Sequence, residues 1–361
     1  MRHSLVLTQL LAAVFLACSG GQTGQPAPAS GGGPTNTAGT ASSGTGGDTP
    51  VAEGGSGGTT AGTNSGGSAG ESAAGTGGTS GGSAGSGGSA GGATELDVPR
   101  PSMGCGLQPT IAPGEYAQSQ LAERSIWVRL PDNYDPARAY PLIFVWKGCG
   151  GAGSLSIFHM EEVAGSDAII VHGDTAAGMD CYDTADGAAF VDLPFFDEFL
   201  AHLNANYCVD QAHVYSAGFS SGAWLSFFLG CQRADVLRGI GTIAGGFKPS
   251  FFLEQPQCAG KTAAFMISDL SDTNNPFHDL DSDGDSVEIG LNQWLTNNGC
   301  SETVWSETAG TATDPDPSVC REYAGCGDFP VKLCLTAEEG HSDQTTISVP
   351  GFWAFFSQFS K

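Results

Sequence analysis

Positive charge is scarce in this chain. Its 361 residues include 13 Lys and Arg against 38 Asp and Glu, a formal net charge of −25. A nucleic-acid partner requires a basic face to neutralise phosphates, so this balance excludes that class. It favours solubility and tolerates neutral substrates and cations. Long apolar runs are missing as well. The apolar stretch at residues 5–17 is shorter than the roughly 20 residues a mature membrane-spanning helix needs. The 11 cysteines contain no C-x-x-C pair, which argues against a zinc cage.

That short apolar stretch follows Arg2 and His3 and ends in Leu16-Ala17-Cys18-Ser19, the layout of an export signal. A Cys directly after the small residue makes Cys18 the candidate lipidated first residue of a lipoprotein; a plainly cleaved signal is the alternative. Residues 19–96 are Gly, Ser, Thr and Ala repeats such as GGSAG, with almost no charge and no apolar periodicity. Such a segment cannot bury a core and reads as a tether. As a coil of about 75 residues it reaches roughly 50 Å. The division is therefore an export signal at 1–18, a tether at 19–96 and one large α/β domain at 97–361.

Ten cysteines fall in that last domain, at 105, 149, 181, 208, 231, 258, 300, 320, 326 and 334. Behind an export signal, an even number reads as disulfides, whose pairing spacing alone does not give. Apolar and alternating runs predict strands at 125–130, 141–146, 168–172, 214–216, 239–244, 263–267 and 331–335. Helical spacing marks 193–207, 223–229, 287–295 and 350–359. This alternation predicts a mostly parallel sheet covered by helices, with ligands beyond the strands' carboxyl ends.

Gly218-Phe219-Ser220-Ser221-Gly222 matches G-x-S-x-G. The pattern alone is weak, because the tether matches it at Ser68, Ser83 and Ser89. Only Ser220 sits between a strand-like run (HVYSA) and a helix-like one (AWLSFFL), the strand–turn–helix context that exposes a nucleophile. A serine needs a base, and the base an orienting carboxylate, in the order Ser, acid, His for this fold. Only His278 and His341 follow Ser220. His341, after VKLCL and before the last helix, is the favoured base; His278 reads as a surface residue. The acid is expected after AAFMI, where Asp272 is favoured and Asp269 is the runner-up.

Two motifs compete with this reading. Residues 148–153, GCGGAG, satisfy the dinucleotide fingerprint G-x-G-x-x-G and follow an apolar run. An exported, disulfide-rich chain has little use for that cofactor, and the glycines better suit an oxyanion-binding loop. Residues 279–285, DLDSDGD, have the D-x-D-x-D-G spacing of a calcium loop. The twelfth position, where such a loop needs Glu, is Gly290, which favours a solvated acidic turn.

Cys208-Val209-Asp210 followed by VYSAGFSSG resembles the CVD…VYATGFSNGG signature of carbohydrate-esterase family 1. That family comprises feruloyl and acetylxylan esterases, with polyhydroxybutyrate depolymerases as relatives. PLIFVWKGCGG at 141–151 resembles its PLVxxxHGCGG loop, and CREYAGC…FPV…C at 320–334 its C-x-E-Y-x-G-C…YPVxWC run. The resemblance implies an α/β-hydrolase with Ser220, Asp272 and His341 as triad. It also implies an oxyanion hole from the amides of Cys149 and Ser221, and no cofactor. A Cys300–Cys326 bridge follows from the same likeness, and a Cys149–Cys181 bridge would pin the oxyanion loop. Lys147 stands where the family has His, and Ser342-Asp343-Gln344 replaces the Trp-Pro segment after the base. The expected function is an exported serine esterase, held at the membrane only through Cys18, cleaving feruloyl or acetyl esters on plant cell-wall polymer. The rivals are a polyhydroxyalkanoate depolymerase and a non-catalytic surface-binding module.

Overall fold

A computed structural model describes residues 95–150, 154–182, 191–247, 257–278, 286–309 and 319–360. The expected export signal with Cys18, the expected tether as far as residue 94, the glycine-rich residues 151–153 and the acidic residues 279–285 lie outside these residues.

Ten strands form one sheet: β1 (Tyr116–Leu121), β2 (Arg124–Arg129), β3 (Tyr140–Trp146), β4 (Ile169–Gly173), β5 (Val209–Phe219), β6 (Leu237–Ile243), β7 (Ala263–Asp269), β8 (Trp305–Ala309), β9 (Val319–Tyr323) and β10 (Val331–Thr336). Their order is β1-β2-β4-β3-β5-β6-β7-β10-β9-β8. Strands β4, β3, β5, β6, β7 and β10 run parallel to one another, and antiparallel pairs close both edges. With α1 (Glu161–Ala164), α2 (Asp192–Asn206), α3 (Ser221–Gln232), α4 (Val287–Asn298) and α5 (Thr345–Ser357) on its two faces, this is the expected α/β-hydrolase layering.

The continuous apolar run of β3 follows from burial on both faces. Leu142, Phe144 and Trp146 face α2 and α3, while Ile143 and Val145 face α5. Phe144 packs on Phe196 and Phe199 of α2 at centroid distances of 4.8 and 5.3 Å. Truncating such a ring costs about 3–5 kcal/mol. Helix α2 carries Pro194 in its first turn, where the missing N–H is spared. Helix α4 is capped by the Ser286 hydroxyl, which accepts from the Ile289 N–H, and ends at Gly299 with φ 77°.

All ten cysteines of the domain are bridged, as Cys105–Cys208, Cys149–Cys181, Cys231–Cys258, Cys300–Cys326 and Cys320–Cys334. The two bridges anticipated above are among them. Three features differ from the sequence reading. Strand β5 runs from Val209 rather than Val214, because its polar residues pair internally: the Asp210 carboxylate meets His213 Nδ1 at 2.6 Å, and His213 Nε2 meets the Phe359 carbonyl at 2.7 Å. Helix α5 begins at Thr345, upstream of Pro350, with the Ser348 hydroxyl donating to the Asp343 carbonyl across its first turn. Strands β1, β8 and β9, outside the parallel part of the sheet, add to the strands that the sequence pattern predicts.

Candidate active site

Strand β5 ends at Phe219, helix α3 begins at Ser221, and Ser220 between them adopts φ 54°, ψ −118°. A non-glycine residue at positive φ is strained and marks a site where geometry overrides local preference. The turn is possible because its neighbours lack side chains. A Cβ on Gly218 would lie 2.0 Å from the Gly222 carbonyl oxygen, and one on Gly222 would lie 2.2 Å from the Trp146 oxygen. The Ser220 N–H donates to the Ile243 carbonyl at 3.1 Å, fixing the elbow to the end of β6.

His341 is brought against Ser220 from the loop after β10. Its Nε2 lies 3.0 Å from Ser220 Oγ, and its Nδ1 lies 2.9 Å from Asp272 Oδ2. Nδ1–H donates to the carboxylate, which leaves the Nε2 lone pair to accept the serine proton. Asp272 is buried, and its other oxygen accepts the backbone N–H groups of Asn274 and Asn275 at 2.8 and 3.0 Å. The imidazole rests on the Phe219 ring at 5.0 Å. The histidine is therefore held from three sides.

Asp269, the alternative acid, has a different position. Its carboxylate accepts from the Thr336 hydroxyl at 2.7 Å, the Ser271 N–H at 2.8 Å and the N–H groups of Glu339 and Gly340 at 3.1 Å. Burial pushes its pKa up, but the hydrogen bonds from Ser271, Thr336 and Glu339 outweigh this and hold it below the usual carboxylate range. His278 pairs with Glu288 at 2.8 Å on the surface. Sequence reasoning weighed Asp269 only as a catalytic acid and missed this cross-loop role. The signal was its place at the very end of β7, opposite Thr336 of β10.

The glycine loop after β3 borders Ser220: a Cβ on Gly148 would lie 3.2 Å from the Ser220 Cβ. The next residue, Cys149, is bridged to Cys181, and the Gly150 N–H donates to the Asp180 carbonyl at 2.8 Å. Ser221 opens α3, where the first N–H groups have no intrahelical acceptor. The first described helical segment after this loop is a single 3₁₀ turn, Ser154–Ser156. A dinucleotide fingerprint requires a longer helix opening there.

A strained serine at a strand–helix turn, an imidazole and a buried carboxylate on this sheet have the arrangement of the α/β-hydrolase fold. No protein-family model matches the chain. It is 32% identical to feruloyl esterase D of Neurospora crassa over 290 residues, covering 72% of this chain and 91% of the relative. It is also 27% identical to feruloyl esterase C of Emericella nidulans over 269 residues, covering 71% and 90%. The solved acetyl xylan esterase from Aspergillus awamori shares the fold, with a TM-score of 0.53, 13% identity and coverage of 68% of this chain and 99% of that one. The chain belongs to the feruloyl esterase family.

Proposed function

We propose that this chain cleaves feruloyl or acetyl esters carried on plant cell-wall polysaccharide, with Ser220, His341 and Asp272 as its catalytic triad. The relay from Ser220 Oγ to His341 Nε2 (3.0 Å) and from His341 Nδ1 to Asp272 (2.9 Å) carries this reading. The substrate class rests on the named activities of the relatives. Ser220 Oγ attacks the ester carbonyl while His341 takes its proton, and Asp272 stabilises the imidazolium. The amides of Cys149 and Ser221 hold the tetrahedral oxyanion, each worth about 3 kcal/mol in sites of this kind. Collapse expels the alcohol, protonated by His341, and leaves an acyl-serine. Water deprotonated by His341 then attacks the acyl carbon, and the acid departs as Ser220 regains its proton.

The same reading makes the enzyme an exported one, tethered through lipidated Cys18 by the segment to residue 96. Detergent partition of the full chain and of Cys18→Ser tests the anchor: both remaining in the aqueous phase overturns it.

The activity test is hydrolysis of p-nitrophenyl acetate and methyl ferulate by wild type and Ser220→Ala. Both substrates should be cleaved, and the variant should lose activity. Equal rates from the two proteins remove Ser220 as nucleophile. Acetate turnover without ferulate turnover moves the substrate to acetyl esters, and clearing of polyhydroxybutyrate films moves it to polyesters.

A further inference from the structure

Lys147 is a long cationic side chain in an unusual place. It directly follows the buried strand β3, only 7% of its surface is exposed, and it precedes the Gly148-Cys149 segment bordering Ser220. Burying an ammonium costs heavily unless its donors are used. Here they are. Nζ donates to the Gly150 carbonyl at 3.0 Å and lies 3.5 Å from Asp174 Oδ1.

The bond to Gly150 makes the side chain turn back over its own loop. It closes a ring containing the peptide units on both sides of Cys149, and so the Cys149 N–H. The Cys149–Cys181 bridge and the Gly150 N–H to the Asp180 carbonyl (2.8 Å) hold this turn from outside, and the Lys147 bond adds a restraint within the loop at Gly150, whose φ of 63° no side chain enforces. Asp174 lies just after β4 and is fixed by its own N–H, which donates to the Ser125 carbonyl at 2.9 Å. The Lys147 N–H donates to the Tyr182 hydroxyl at 3.3 Å, and that hydroxyl donates to the Gly173 carbonyl at 2.7 Å. Backbone and side chain of Lys147 thus both tie the loop to the carboxyl end of β4.

We infer that Lys147 is a positioning residue for ester hydrolysis: its ammonium, braced by Asp174, fixes the Gly148–Gly150 turn so that the Cys149 amide meets the oxyanion. The inference rests on the serine-esterase reading above. An amide aimed at the oxyanion acts in the transition state and not in the ground state, so its loosening should lower kcat and leave KM alone.

The experiment compares wild type, Lys147→Met, Lys147→Arg, Asp174→Asn and Ser220→Ala on p-nitrophenyl acetate, with melting temperatures. It adds binding of ferulic acid and of phenylboronic acid, which forms a tetrahedral anion on a serine oxygen. Lys147→Met should lower kcat on the order of 10–100-fold, with KM within about two-fold. Phenylboronic acid should bind correspondingly more weakly, and ferulic acid unchanged. Lys147→Arg, which keeps a charge and donors, should recover most of the loss.

Wild-type kcat in Lys147→Met overturns the inference, as does a loss that Lys147→Arg fails to recover or that follows a collapse in melting temperature. Should Lys147→Met fail to fold, Asp174→Asn decides: a kcat loss at constant KM supports the strap, and unchanged kcat overturns it. Retained activity in Ser220→Ala would instead sink the underlying esterase reading, so the two failures are distinguishable.

Discussion

The Asp269 carboxylate accepts the backbone N–H of Gly340 at 3.1 Å, joining the loop that carries Asp272 to the loop that carries His341. Gly340 directly precedes His341, and Asp269 lies three residues before Asp272. One buried carboxylate therefore sets the spacing between the two loops, and the Asp269 carbonyl also accepts the Asp272 N–H at 3.2 Å. Asp269→Asn keeps one acceptor but turns an NH₂ donor towards Ser271, Thr336, Glu339 or Gly340, all of which donate. A mismatch of this kind costs about 1–3 kcal/mol. The variant should melt several degrees lower and lose on the order of 10-fold in kcat at similar KM. Steady-state kinetics with unchanged kcat would remove Asp269 from the positioning of the site.

Acid should destabilise the enzyme through the same group. Asp269 is held below the ordinary carboxylate range, because its hydrogen bonds outweigh the effect of burial. Asp210 is held low in the same way, by His213 and the N–H groups of Arg100 and Ala212 acting against burial. A folded-state pKa below the unfolded one gives stability that is fully present above the unfolded value of about 3.9, and it is lost as pH falls through that value towards the lowered one. Melting temperature should drop steeply below about pH 4, and less steeply in Asp269→Asn. Parallel melting curves for the two proteins across this range would contradict the linkage.

The parts of the fold readable in the chain are those where burial imposes a pattern. Strand β3 is buried throughout and reads as an apolar run, and Ser220 is recognisable because a strand must enter and a helix must leave a turn lined by glycine. What was hidden depends on partners distant in sequence. Asp210 lies ahead of the strand-like HVYSA run, and its place in β5 depends on His213, whose other ring nitrogen meets the Phe359 carbonyl 146 residues later. Strand β1 carries a half-exposed YAQSQL with no fully buried residue and lies at the edge of the sheet beside β2, so no clear burial pattern marks it. Lys147 reads as a departure from a family motif, and only the fold brings Asp174 beside it.

Asp343 should respond to pH in the opposite sense. Burial raises its pKa above the usual range, with its own backbone N–H and His159 acting the other way. A raised folded-state value gives stability that is present below the unfolded pKa and lost as pH rises through the folded one. Near neutral pH the ionised carboxylate is then a liability that Asp343→Asn removes. The variant should melt higher than wild type at pH 7, and the gain should vanish near pH 3. A lower melting temperature at pH 7 would show that the carboxylate makes a favourable interaction there.

Two glycine substitutions separate close packing from chain flexibility. A Cβ at Gly222 would meet the backbone oxygens of Trp146 and Lys147 at 2.2 and 2.6 Å, atoms that cannot move without parting α3 from the end of β3. Gly239, in β6, has ordinary backbone geometry, and a Cβ there would meet Ala263 O and Tyr215 Cδ1 at 3.5 Å, a normal contact. Alanine at Gly239 mainly restricts the unfolded chain, which stabilises by about 0.4–1 kcal/mol where the native geometry accepts it. Gly239→Ala should therefore fold, match or exceed the wild-type melting temperature and keep full activity. Gly222→Ala should fail to accumulate as folded protein, or fold with the elbow displaced and hydrolysis lost. Recovery of an active, wild-type-stable Gly222→Ala would mean that the helix approaches the β3 loop less closely than 2.2 Å implies, and that the turn at Ser220 does not depend on it.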